Sequence, residues 1–172
     1  MKTEDKSLAE MVLRRLCQGA QIDGIRFGPI LQLLITDHAS QKPLIQGQIY
    51  LNLDSRWTVF ETFPIAWPEC EVDLPELSVH EQLKMLCDLR EALITDIVLG
   101  DKHPHLHLHL EDGRVLFANG CHDQYECWEL GVAWGKPGDC WLVVACPGDG
   151  VAVWSAESIE QASNSALLYR TP

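Results

Sequence analysis

The residues with the most obvious chemical capacity are three histidines in strict alternation, His105, His107 and His109, in the run His105-Leu106-His107-Leu108-His109-Leu110. On a β-strand the side-chain period is two, so the three imidazoles share one face at roughly 7 Å intervals and Leu106, Leu108 and Leu110 share the other. Neighbouring imidazoles in such a run can converge on Zn²⁺, and His103, Cys121, His122 and Cys127 lie close enough in sequence to complete a coordination sphere. The weak candidates for a metal are therefore His105, His107, His109 and His122. Against a metal stand the lack of a Cys-x-x-Cys pair, of a His-Glu-x-x-His helix and of a carboxylate set placed to orient the imidazoles. The expectation is a solvated or partner-facing histidine surface with no cofactor, zinc being the alternative. Adjacent histidines could also make that surface responsive to pH below about 6.5.

Other reactive residue types give less. Cys121 and His122 are adjacent and on a strand would point to opposite faces, which does not suit a nucleophile and its base. Cys140 and Cys146 would stand ~20 Å apart on an extended strand and cannot bond to each other. Glu126 and Glu129 bracket Trp128, but an i, i+3 pair on a strand projects to opposite sides, which favours a solvated surface over general acid and base work. No residue is assigned a catalytic role, and the expectation leans against an enzyme.

The elements that must hold these residues are mostly strands. Glu111-Asp112-Gly113 is turn chemistry between the histidine run and Arg114-Val115-Leu116-Phe117, so the pair reads as a β-hairpin. Tyr125-Glu126-Cys127-Trp128-Glu129-Leu130, Cys140 through Cys146 and Val151-Ala152-Val153-Trp154 read as further strands, the last two joined by Pro147-Gly148-Asp149-Gly150. Upstream, Gln48-Ile49-Tyr50-Leu51-Asn52-Leu53 alternates, turns at Asp54-Ser55-Arg56 and returns as Trp57-Thr58-Val59-Phe60, a second expected hairpin. The apolar run 30–36 is a strand, 37–43 a polar connection, and 94–99 a strand leading to the histidine hairpin. Ser7-Leu8-Ala9-Glu10 and Ser78-Val79-His80-Glu81 have the capping-box form, each opening an amphipathic helix: a short one to Gly19 and one over 78–93 packed on the sheet. Pro64, Pro68 and Pro75 make 63–77 an irregular connection.

The two hairpins superpose at an offset of 57 residues, with Ile49, Leu51 and Leu53 on Leu106, Leu108 and Leu110, which raises an internal duplication. Leu34-Ile35-Thr36-Asp37 recurs as Leu93-Ile94-Thr95-Asp96. The fold class expected is α+β: one curved, mainly antiparallel sheet of two hairpin units, one packed amphipathic helix between them and a short N-terminal helix. A chain of 172 residues with 47 % hydrophobic content fits one domain over 1–172. Residues 155–172 are weakly helical or a loosely docked tail.

Thirteen basic against 25 acidic residues give a net charge of −12, which disfavours nucleic acid and anionic lipid and favours a basic protein partner. The charged N-terminal segment does not read as a signal peptide, and no apolar run reaches the ~18 residues of a membrane span. With seven cysteines, an odd number, the expectation is reduced thiols and a cytoplasmic protein. Six tryptophans are more than a core of this size readily absorbs, although each taken singly fits the core. The residues expected to meet a partner are Tyr50, Trp57, His107, Glu126, Trp128 and Glu129.

The stretches Leu108-His109-Leu110-Glu111-Asp112-Gly113-Arg114-Val115-Leu116, Tyr125 through Leu130 and Cys146-Pro147-Gly148-Asp149-Gly150-Val151-Ala152-Val153-Trp154 resemble a family of small uncharacterised bacterial domains, some suspected of being immunity proteins of toxin systems. The resemblance covers the last third of the chain and, more weakly, the earlier hairpin. It implies a non-catalytic binding module, plausibly an inhibitor of a basic partner, and it carries no active residues with it.

Overall fold

The computed structural model describes residues 1–36, 45–135 and 140–155. The polar connection at 37–43 and all but the first residue of the expected tail at 155–172 fall outside them. The fold is α+β; the described residues form two α-helices and ten strands, every strand pair antiparallel.

Helix α1 (Thr3–Cys17) starts earlier than the Ser7 capping box predicts and has no side-chain cap; Glu4 and Asp5 in its first turn and Arg14 and Arg15 in its last complement the helix dipole instead. Its apolar stripe, Ala9, Val12, Leu13, Leu16 and Cys17, is buried against β5 (Ile94–Leu99), β9 (Leu142–Cys146) and β10 (Gly150–Trp154). Helix α2 (Val79–Asp88) does use its capping box. Ser78 Oγ accepts from the Glu81 amide at 3.3 Å, and the Glu81 carboxylate accepts from the Ser78 amide at 2.8 Å. It stops short of the expected Leu93 because Glu91 turns left-handed at φ 68° and gives its amide to the Ile22 carbonyl. Only Leu86 of α2 is buried, so the N-terminal helix supplies most of the helical share of the core.

The strands divide between two sheets where the sequence suggested one curved sheet. One has the order β1 (Ile22–Arg26), β2 (Gln32–Ile35), β3 (Gln48–Leu53), β8 (Trp128–Ala133), β9, β10; the other has β4 (Trp57–Phe60), β7 (Val115–Ala118), β6 (Leu106–Leu110), β5. Strand β1 has no counterpart in the sequence reading. The hairpins β6–β7 and β9–β10 form as expected. The expected β3–β4 hairpin does not: β3 lies between β2 and β8, and β4 pairs with β7. Asp54 and Ser55, read as a tight turn, give their amides to the Cys127 carbonyl and carry the chain from one sheet to the other. Alternation specifies which side chains share a face but not which strand lies alongside. The proposed duplication loses its support with that hairpin.

The inward faces of both sheets and α1 meet in one core that includes Leu16, Leu33, Leu51, Leu108, Leu116, Trp128 and Leu130. At one end the chain after β7 passes so close to Pro104 that a Cβ on Gly120 would lie 2.0 Å from the Pro104 carbonyl oxygen and 2.7 Å from the His105 amide nitrogen. Both neighbours are backbone and cannot step aside. Gly120→Ala is therefore expected to cost ~3 kcal/mol or more, read as a lowered urea midpoint.

Candidate functional site

The leucines of β6 face the core as predicted, and the histidines take the other face. That face is not open. The connection between β4 and α2 runs across it, with Trp67 at 4.1 Å centroid distance from His107 and Phe63 stacked on His109 at 5.0 Å. Trp67 also stacks on Phe117 at 5.8 Å. His105 and His107 are left only 6 % and 7 % exposed. The solvated or partner-facing histidine surface is thus corrected to a packed interior layer. The signal for it was present in the two aromatic residues of an otherwise irregular, proline-punctuated segment.

Hydrogen bonds fix the state of His105. Its Nδ1 accepts from the Gly120 amide at 2.9 Å and its Nε2 faces the Glu69 carbonyl at 3.2 Å, which requires a neutral ring with the proton on Nε2. Burial lowers the pKa of both His105 and His107 to about 4, and lowers that of His109 as well. The Nε2 of His107 is buried with no partner among the described residues. Among the described residues, no pair of these rings comes together with a third ligand. His122 turns inward on its own loop: its Nδ1 accepts from the Gln124 and Tyr125 amides at 3.0 and 3.2 Å and its ring stacks on Tyr125 at 4.1 Å.

Among the residues expected to meet a partner, His107, Trp57 and Trp128 are buried, the two tryptophans at 3 % and 0 % exposure. Strand β8 begins at Trp128, three residues later than expected, so its first side chain faces the core. Glu126 therefore precedes the strand, and the opposite-sides argument does not apply to it and Glu129. Both carboxylates act on Asp54, whose pKa is raised by partial desolvation and by the like charges of Glu129 and Glu126. Glu129 accepts from Asn52 Nδ2 at 2.7 Å, Asn52 in turn accepts from Gln32, and Glu129 and burial together raise the Tyr50 phenol pKa above its ordinary value. Tyr50, Glu126 and Glu129 are thus gathered with Asp54 into one anionic region. Among the described residues no lysine or arginine forms an ion pair with any of the three carboxylates.

Asp54 also lines a groove of about 510 Å³ whose rim carries Phe27, Ile30 and Val79, all exposed, with Glu71 on the same wall. Sequence reasoning missed this apolar rim because its residues come from the β1–β2 connection and the start of α2, 52 positions apart at the widest.

A second cluster lies where three connections converge. His103 from the β5–β6 loop, Cys121 from the segment after β7 and Asp149 from the β9–β10 turn bring one nitrogen, one sulfur and one oxygen within 4.8 Å of one another. His103 Nδ1 and Asp149 Oδ1 are 2.6 Å apart. That hydrogen bond lowers the pKa of Asp149, whereas burial and the nearby Asp149 charge raise that of the Cys121 thiol. A thiol whose pKa is raised beside a carboxylate is a weaker nucleophile than an unperturbed cysteine. His103 appeared in the sequence reading only as an auxiliary ligand to the histidine strand, and Cys121 as an auxiliary ligand and as a nucleophile candidate beside His122. Asp149 had no signal, because 46 residues separate it from His103.

Among the described residues no helix is long and apolar enough to cross a membrane. Comparison of the chain with protein-family models, with curated proteins and with solved structures finds no match in any of the three.

Proposed function

We propose that this chain is a non-catalytic binding module that captures a protein partner through a basic segment carrying an apolar side chain. The reading rests on one juxtaposition: an apolar-rimmed groove, Phe27, Ile30 and Val79, with Asp54 on its wall and Glu126 and Glu129 acting on that same carboxylate. The Asp54 carboxylate, its pKa raised by desolvation and by two neighbouring like charges, is relieved by a cation, and a partner's lysine or arginine provides one while its apolar side chain fills the groove. The overall charge of −12 adds long-range steering toward such a partner. Capture of this kind is steric and electrostatic, with no bond made or broken by this chain. An immunity-type inhibitor of a basic protein, the role implied by the family resemblance, would act in this way. A cytoplasmic setting belongs to the same proposal and is supported by seven cysteines that are all free thiols.

The test uses a synthetic peptide with a Leu-Trp core flanked by arginines, and a control peptide of the same charge without the core. Amide shifts of the ¹⁵N-labelled chain are expected to move at Phe27, Ile30, Asp54 and Val79 with the first peptide only, and the affinity to fall about tenfold or more between 50 and 300 mM salt, from general screening. Asp54→Asn should weaken binding by about threefold to tenfold, the range for one rim charge, without lowering Tm. The sign follows from the raised pKa: at neutral pH the fold disfavours this ionised carboxylate, so removing its charge does not cost stability. Shifts scattered over the surface, or equal for the two peptides, would refute the proposal.

A further inference from the structure

We propose that His103, Cys121 and Asp149 form a three-ligand site for a transition-metal dication of the zinc class, which clamps three loops together and leaves a fourth position for water. This site adjoins the start of the histidine strand, the His103 ring lying 5.3 Å from that of His105, and does not depend on the partner-binding reading. One imidazole nitrogen, one sulfur and one carboxylate oxygen, all within 4.8 Å of each other, come from three different connections and from both sheets. A thiolate in the set selects against Mg²⁺ and Ca²⁺, and a mixed nitrogen, sulfur and oxygen set suits Zn²⁺. The ligand atoms of a tetrahedral zinc site lie about 3.3–3.8 Å apart, from bond lengths of ~2.0–2.3 Å. The ion takes the place of the proton in the 2.6 Å His103–Asp149 hydrogen bond, which is broken as that proton passes to solvent and the two ligand atoms move apart.

The backbone around the cluster is held firmly before any ion arrives. Asn119, with no exposed surface, donates from Nδ2 to the Cys121 carbonyl at 3.1 Å and accepts the Cys121 amide at Oδ1 at 3.3 Å, so it grips the cysteine from both sides. The Gly148 amide donates to the His122 carbonyl at 3.1 Å, which stitches the Asp149 turn to the Cys121 segment. Asp149 itself sits at φ 63°, a left-handed conformation that aspartate tolerates better than most residues and that belongs to the tight turn presenting its carboxylate to His103. On binding, the thiol proton passes to solvent as the sulfur takes up the metal, and a His103 ligating through Nδ1 carries its proton on Nε2.

Cobalt is the probe. The full-length, reduced and chelator-stripped chain is titrated with Co²⁺ and then with Zn²⁺. One equivalent of Co²⁺ is expected to produce a thiolate charge-transfer band and tetrahedral d–d bands, both displaced by Zn²⁺. Cys121→Ser should abolish the charge-transfer band, and His103→Gln and Asp149→Asn should weaken binding at least about tenfold, the scale expected for losing a ligand. Cys87→Ser, at an exposed cysteine on α2, should change nothing. A charge-transfer band that survives Cys121→Ser, or that disappears with Cys87→Ser, or no band at all, overturns the proposal. Should a variant fail to fold, the unmodified chain still decides: Zn²⁺ must move the ring resonances of His103 and leave those of His107 in place, and the reverse pattern refutes the site.

Discussion

Replacing Trp128 with alanine should cost ~3–5 kcal/mol, enough to unfold much of the population of a protein of ordinary stability. Trp128 is the largest fully buried side chain among the described residues, it opens β8, and its Nε1 donates to the Pro104 carbonyl at 2.8 Å, tying the six-stranded sheet to the β5–β6 loop of the other. Loss of the ring leaves a cavity, and loss of the indole N–H leaves a buried carbonyl without its donor. Trp128→Phe isolates the second effect, because most of the volume remains; a cost of ~1–3 kcal/mol is expected, from the penalty for a buried unpaired acceptor. Urea denaturation gives both numbers. A tryptophan that served as a surface anchor for a partner would instead leave the midpoint nearly unchanged when replaced, so a shift near zero would contradict the burial described here.

The second large effect is on the acid side of the stability curve. With its pKa lowered to about 4 by burial, His107 stays neutral in the folded state while the unfolded chain begins to take up its proton near pH 6.5. Its contribution is complete above pH 6.5 and is lost as pH falls toward 4, at a slope of ~1.4 kcal/mol per pH unit and ~3 kcal/mol in all. The charges that face it are His105, His109 and Lys6, which oppose protonation, and Asp101, which favours it weakly. His107→Phe should keep the contact with Trp67 and remove the unpartnered Nε2. The variant is expected to be ~1–2 kcal/mol more stable at pH 7, from the removal of one buried unsatisfied group, and to lose one proton's worth of acid sensitivity between pH 6.5 and 4. Parallel denaturant series at pH 7, 6 and 5 read both. An acid limb identical to that of the unmodified chain would mean that this ring is already solvated.

The α+β class, the helix cap at Ser78, the β6–β7 and β9–β10 hairpins and the inward leucines of β6 were all legible, because each is specified by residues within a few positions of one another. The separation of β3 and β4 into different sheets was not, since their alternation is satisfied equally well by β8 and β7 as partners. The same limit hid the fate of the histidines. Their shared face followed from the period of a strand, but the cover on that face is Phe63 and Trp67, some forty residues upstream. His103, Cys121 and Asp149 meet only because three connections end at the same corner of the molecule, and no local pattern links a turn aspartate to a distant histidine. Tyr50, Glu126 and Glu129 were named from their residue types as partner-binding candidates, and the structure places both glutamates near enough to Asp54 to raise its pKa after desolvation has done so.

The most conspicuous chemical signature in the chain, the alternating histidines, is a packed layer: His105 and His107 are buried, His107 against Trp67, and His109 is half-buried against Phe63. A pH titration of the histidine ring resonances by NMR tests it directly. The rings of His105 and His107 should hold constant chemical shifts from pH 8 to 5 and move only toward pH 4. Titration of either ring between pH 6 and 7, as for a free imidazole, would place these side chains in water and contradict the account.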